Sequence, residues 1–170
     1  RLDKDTSGLM LVAKNDIAHN GLAEQIKVHS VRREYHTVVI GNLREDTGTV
    51  CAPIGRHKTD RKKMAVTENN SKEATTHYTV LERYRGFTYA SCLLETGRTH
   101  QIRVHMSHIG HPVVGDAVYG ARDKLGLVGQ CLHSKNVTFV HPCTGKEMYF
   151  ESELPDYFEE ILGKLRNMSE

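Results

Sequence analysis

The side chains with chemistry in them fall into two stretches of the chain. The first opens it: Arg1, Leu2, Asp3, Lys4, Asp5, Thr6, Ser7 and Gly8, followed by an apolar run at residues 9–13. Small turn formers ahead of an apolar run describe a tight loop delivering the chain into a buried strand. An aspartate in such a loop is ordinarily a solvated or Asx-turn residue. Held against a core, the same carboxylate can act as a nucleophile or a general base. Residue type alone does not choose between Asp3 and Asp5. The second stretch, residues 95–105, reads E-T-G-R-T-H-Q-I-R-V-H and brings Arg98, His100 and Arg103 together.

Histidines invite a metal reading, which the spacing does not support well. His100, His105, His108 and His111 include pairs at helical spacing, but no H-E-x-x-H and no third carboxylate ligand accompanies them. Cys131-x-His133 and His141-x-Cys143 could each point to one side of a strand and together offer four zinc-type ligands. Pro142 and Thr144-Gly145 instead make residues 141–146 a turn between strands at 137–140 and 147–151. No metal site is therefore assigned.

The elements that must position these groups follow from periodicity. Residues 9–13 are expected as a buried strand. Asn15 offers an N-cap to a helix of about three turns, with Ile17, Leu22 and Ile26 on one face. Residues 32–40 are rich in Tyr, Thr, Val and Ile and end at Gly41-Asn42, which makes a strand carrying Tyr35. Residues 72–83 and 87–95 alternate with period two about Tyr84-Arg85-Gly86, the pattern of an antiparallel hairpin. Ile102, Met106 and Ile109 are spaced for a helix with Thr99 as N-cap, and Arg103 lies one residue round from that apolar face. Pro155-Asp156 opens a last helix with Phe158, Ile161, Leu162 and Leu165 in a stripe. Many strands, few helices, no βαβ alternation and no Gly-rich nucleotide loop give an α+β fold on a mixed, largely antiparallel sheet with flanking helices.

At 170 residues the chain is one domain's worth, and its 38% hydrophobic content supports a core. The formal charge of +2 selects no partner, but its distribution does. Between residues 55 and 64, Arg56, Lys58, Arg61, Lys62 and Lys63 face the single acid Asp60. Such a segment is either a solvated loop or an arm that neutralises phosphates, the main source of sequence-independent affinity for RNA. Four scattered cysteines without C-x-x-C suggest neither a disulfide framework nor a sulfur-rich zinc site. No apolar run approaches the ~20 residues of a membrane span. The expectation is a cytoplasmic monomer with no membrane partner.

Arg1-Leu2-Asp3 with Thr6-Ser7-Gly8, the block T-G-R-T-H-Q-I-R-V-H at 96–105, and G-H-P-V-V-G-D-A-V-Y-G at 110–120 resemble the signature of the RluA/RluD-type pseudouridine synthases. Tyr35, in Arg33-Glu34-Tyr35, matches the tyrosine of that family's K/R-x-Y strand. The resemblance implies an RNA uridine isomerase acting without a cofactor on ribosomal RNA of the large subunit or on tRNA. It selects Asp3 over Asp5 as the catalytic acid, with Arg103 as its ion-pair partner and Tyr35 stacking on the flipped base. Arg1 corresponds to an arginine that in some relatives fills the gap left by that base. Arg98, His100 and the basic residues Arg56, Lys58, Arg61, Lys62 and Lys63 are assigned to RNA binding. The resemblance further implies that residues 1–170 are a catalytic domain lacking its N-terminal part, which in relatives often follows a small RNA-binding S4 domain. A non-catalytic RNA-binding module and a metal-dependent hydrolase using the His/Cys sets are the alternatives.

Overall fold

Strand-forming runs of Thr, Tyr, Val and Ile assemble the central sheet, with Gly41-Asn42 closing one run and Gly86 turning another. A computed structural model describes residues 1–120 and 125–169. In chain order the elements are β1 (Ser7–Gly8), α1 (Asp16–Lys27), β2 (Arg32–Ile40), β3 (Thr47–Cys51), β4 (Ile54–Arg56), β5 (Met64–Val66), β6 (Ser71–Lys72), β7 (Thr75–Tyr84), β8 (Phe87–Leu94), α2 (Gln101–His108), β9 (Leu132–Val140), β10 (Glu147–Glu151) and α3 (Asp156–Asn167). The main sheet runs β1-β9-β2-β8-β7-β3, with β10 also on β9. Only β1 pairs in parallel, so the sheet is mixed and largely antiparallel, as the sequence predicts. A small sheet, β5-β4-β6, stands apart.

Consecutive residues of β2 point to opposite faces, and the core divides accordingly. Val38 joins the cluster capped by Phe158, Ile161, Leu162 and Leu165 of α3. Val39 joins the cluster around Ile102 and Met106 of α2. The predicted apolar stripe of α3 is thus the lid of one face. α2 is more deeply embedded, with Gln101 through Met106 all buried.

Several expectations need correction. Residues 9–13 do not form a strand. β1 pairs Ser7 with His133 and Gly8 with Ser134, and continuing that register would bring Met10 opposite Asn136. From Asn136 onward that edge of β9 is taken by β10. The chain therefore leaves the sheet after Leu9 donates its N–H to the Ser134 carbonyl. α1 forms where expected and Asn15 Oδ1 accepts from the Ala18 N–H. Its apolar residues do not share one buried face, however: Ile17 is 67% exposed, while Leu22 packs on Val31, Val137 and Phe139. The hairpin strand expected from residue 72 starts at Thr75, because Ser71–Lys72 is drawn into the small sheet as β6. β9 extends back to Leu132, which pairs with Thr37 of β2, and from His133 its other edge takes β1. Thr99 does not cap α2: the cap position is His100, in a left-handed conformation at φ 57° and with no side-chain cap bond. The expected turn at 141–146 is present, closed by the His141 N–H on the Lys146 carbonyl.

The two helices should respond differently to truncation. Phe158→Ala should cost about 3–5 kcal/mol in denaturant unfolding, whereas Ile17→Ala should stay within roughly 0.5 kcal/mol. Comparable losses in the two variants would contradict the assignment of the core.

Candidate active site

The loop from Asp3 to Gly8 is fixed at every residue that its turn signature offers. The Thr6 N–H bonds back to the Asp3 carbonyl at 3.1 Å, closing a turn that places Asp5 at φ 67°. Gln130 Nε2, from a buried side chain, donates to the Lys4 carbonyl at 2.6 Å and to Thr6 Oγ1 at 3.0 Å. Ser7 Oγ lies 2.8 Å from both His133 Nδ1 and Tyr157 Oη, tying the loop to β9 and α3. Burial, aided by the charges of His36 and Lys135, pushes His133 below its ordinary value. Its neutral ring then has one donor and one acceptor nitrogen to offer Ser7 Oγ and Ser152 Oγ. Gly8 has φ 104°, and a Cβ there would strike the backbone of Ser134. Only glycine lets β1 lie this close to β9.

Asp3, so held, meets Arg103. Arg103 Nη1 donates to Asp3 Oδ2 at 3.2 Å. The same guanidinium forks onto a second acid: Nε donates to Asp116 Oδ2 at 2.6 Å and Nη2 to Asp116 Oδ1 at 3.0 Å. Asp116 also accepts the backbone N–H groups of Val118 and Tyr119 through Oδ1. Burial alone would raise the Asp116 carboxyl, but the Arg103 hydrogen bonds and charge, with these two N–H donors, hold it below the usual carboxylate range. Arg103 is correspondingly raised, its two acids outweighing burial. The Tyr119 ring lies 5.1 Å from the guanidinium carbon, in cation–π contact.

A cleft opens above this triad, lined by Arg1, Asp3, Arg33, Tyr35, Arg98 and His100 among others. Tyr35 reaches it from β2, beside a bulge where β9 carries the extra residue Lys135. Burial raises the Tyr35 hydroxyl, against opposing effects from Arg33 and a hydrogen bond with Ser134, so the phenol stays protonated. Arg1 Nη2 donates to Thr99 Oγ1 at 3.1 Å, and Arg98 Nε to the Glu73 carbonyl at 2.8 Å. Gln101 stiffens the turn between them by accepting from the Arg98 N–H and Thr96 Oγ1. The structure thus brings the predicted Asp3, Tyr35, Arg103, Arg1, Arg98 and His100 to one place.

The basic residues lie elsewhere. Arg56, Lys58, Arg61, Lys62 and Lys63 occupy the β4–β5 hairpin and do not line the cleft. That hairpin is nonetheless joined to it: Tyr119 Oη accepts the Met64 N–H at 2.8 Å and lies 2.7 Å from His100 Nδ1. Cys131 and His133 are buried, whereas Cys143 is exposed on the turn. Among the described residues no group of three or more His, Cys, Asp or Glu is arranged to hold a metal ion. Sequence reasoning assigned no role to Asp116, Tyr119 or Gln130 and weighed His133 only as a zinc-type ligand. Asp116 and Tyr119 stand in the matched G-D-x-x-Y-G block, and that was the available signal.

Comparison with known proteins agrees with the fold. The family described as RNA pseudouridylate synthase matches residues 1–108. The uncharacterized RNA pseudouridine synthase YlyB of Bacillus subtilis is 51% identical over 98% of this chain, which covers 54% of that protein. Ribosomal large subunit pseudouridine synthase D of Pseudomonas aeruginosa is 49% identical over 98% of the chain and 55% of its own length. The chain spans about half the length of these curated relatives. Among solved structures, Human RNA Pseudouridylate Synthase Domain Containing 1 superposes with a TM-score of 0.81 at 27% identity, covering 98% of this chain and 78% of that one.

Asp116→Asn should destabilise the fold by about 3 kcal/mol or more, since Arg103 loses its buried partner. Asp116 is held low in the folded state, so its contribution is complete above the unfolded value of about 3.9 and is lost as pH falls from there toward the folded value. Urea midpoints measured across that window should fall for the wild type and change less for Asp116→Asn; parallel curves would contradict the pairing.

Proposed function

Because the chain belongs to the RNA pseudouridylate synthase family, we propose that it isomerises uridine in RNA to pseudouridine, with Asp3 as the catalytic carboxylate. The supporting observation is the cleft that Asp3 and Tyr35 both line, with Arg103 Nη1 holding the Asp3 carboxylate at 3.2 Å. The reaction breaks the bond from uracil N1 to ribose C1′, turns the base, and joins C5 to C1′. A proton leaves C5 and one is gained at N1, so the change is an isomerisation with no net redox step. The protein must supply a pocket for an extruded base and one group acting at the sugar or base.

Asp3 is that group, as nucleophile or as base. Arg103 fixes its direction through the Nη1 hydrogen bond to Oδ2 at 3.2 Å. Tyr35 presents its ring to the flipped uracil. Extrusion costs a few kcal/mol, and stacking on an aromatic recovers about 1–3 kcal/mol of it. The raised Tyr35 hydroxyl is available as a proton donor. No step calls for a cofactor.

The substrate class is structured RNA. Arg1, Arg98 and His100 border the cleft as contacts around the target nucleotide, and the β4–β5 hairpin carries Arg56, Lys58, Arg61, Lys62 and Lys63 to phosphates farther along the strand. Large-subunit ribosomal RNA is the favoured target, on the name of the Pseudomonas relative.

Incubated with unmodified large-subunit ribosomal RNA, the protein should form pseudouridine, and Asp3→Asn should form none while keeping its melting temperature. Product made by Asp3→Asn would sink the assignment. Neutralising Lys62 and Lys63 together should weaken RNA binding broadly and flatten the plot of log affinity against log salt by about 1.4; an unchanged slope would remove the hairpin from the interface.

A further inference from the structure

Arg33 lines the same cleft as Asp3 and Tyr35. It enters on β2 two residues before Tyr35 and so shares the face turned toward α2. Of the cations lining the cleft, Arg1 is bonded to Thr99 and Arg98 to the Glu73 carbonyl. The Arg33 side chain makes no hydrogen bond or ion pair with any described residue, and its Nε is buried without a partner. A buried donor left unpaired is unfavourable by about 1–3 kcal/mol, so an arginine kept in this state has no part in holding the fold together.

Its position is nevertheless well defined. The guanidinium lies against Gly97, where an added Cβ would come within 2.5 Å of Nη1 and 2.9 Å of Nη2. The absence of a side chain at Gly97 in the Thr96-Gly97-Arg98 turn is what gives the guanidinium this seat. From there its charge is the largest influence opposing the burial that raises the Tyr35 hydroxyl, which sets it beside the residue proposed to stack on the base. Asp3 is the lone acid among the lining residues, against Arg1, Arg33 and Arg98, and it is already engaged by Arg103.

A planar donor fork with no protein acceptor, seated next to the base platform in a cationic cleft, is matched by the two free oxygens of a phosphodiester. We infer that Arg33 binds a backbone phosphate of the RNA strand adjoining the nucleotide held over Tyr35. This rests on the RNA reading of the cleft. Arg33 therefore fixes the strand on which the target base turns, a task distinct from the distant contacts of the basic hairpin.

The test measures binding of a short single-stranded oligouridine across a salt series, together with melting temperature, for wild type, Arg33→Met, Arg33→Lys and Arg32→Met. Arg32 is exposed and adjacent on the opposite face of β2, so its variant carries the same charge change away from the cleft. Arg33→Met should bind about tenfold more weakly at low salt. Its salt slope should be flatter by about 0.7, one single-strand phosphate, and its melting temperature should equal or exceed that of the wild type. Arg33→Lys should recover the slope, and Arg32→Met should keep it. An Arg33→Met variant with the wild-type slope, or one that unfolds, overturns the inference. So does an Arg32→Met that flattens the slope equally, since the effect would then be one of general charge. A wild-type chain whose oligouridine binding shows no salt dependence overturns the RNA reading itself, a result recognisable before any variant is compared.

Discussion

The structure turns on one guanidinium shared between two carboxylates. Arg103 has three donor directions in use: two bind Asp116 in a fork and the third reaches Asp3. Asp116 is fully buried and has four hydrogen-bond donors around it, so it behaves as a fixed anion. With that end anchored, the remaining Nη1 has a set direction, and the partly exposed Asp3 is oriented by it. Ion pairs of this sort add little net stability over an apolar replacement, but removing one partner is costly. Their value here is geometric.

The rest of the fold brings the two ends of this pairing together. Asp3 and Arg103 are far apart in sequence, and each is delivered by an independent restraint. The Asp3 loop is pinned by Gln130, by the His133 ring through Ser7, and by the close approach of Gly8 to β9. Arg103 sits on α2, the helix most deeply embedded in the protein, with Ile102 and Met106 locked against the sheet. Tyr119 then links the site to the basic hairpin, touching Arg103 with its ring and both His100 and Met64 with its hydroxyl. A substrate drawn in by the hairpin would thus meet a site one side chain away.

Much of this was legible in the residues. The stripe at Phe158, Ile161, Leu162 and Leu165 and the helical spacing of Ile102 and Met106 report directly on burial, and both helices form there. Asp3, Tyr35 and Arg103 came from resemblance rather than from residue chemistry, which could not separate Asp3 from Asp5. What stayed illegible depends on pairing at long range. Residues 9–13 have strand character but no free edge, because β10 occupies it. The small sheet of β4, β5 and β6 is made of strands too short to carry a period. The role of Asp116 emerges only when the segment after α2 folds back onto Arg103, and the availability of Arg33 is visible only as a missing partner.

If Arg103 acts by holding Asp3, the two residues form one catalytic unit and their losses should not multiply. The decisive measurement is the single-turnover rate of pseudouridine formation for Asp3→Asn, Arg103→Lys and the double variant on the same RNA. The account predicts that Arg103→Lys lowers the wild-type rate but adds almost nothing once Asp3 is gone. A double variant slower than Asp3→Asn by the full factor that Arg103→Lys imposes on the wild type would mean that the two act independently, and the central pairing would lose its function.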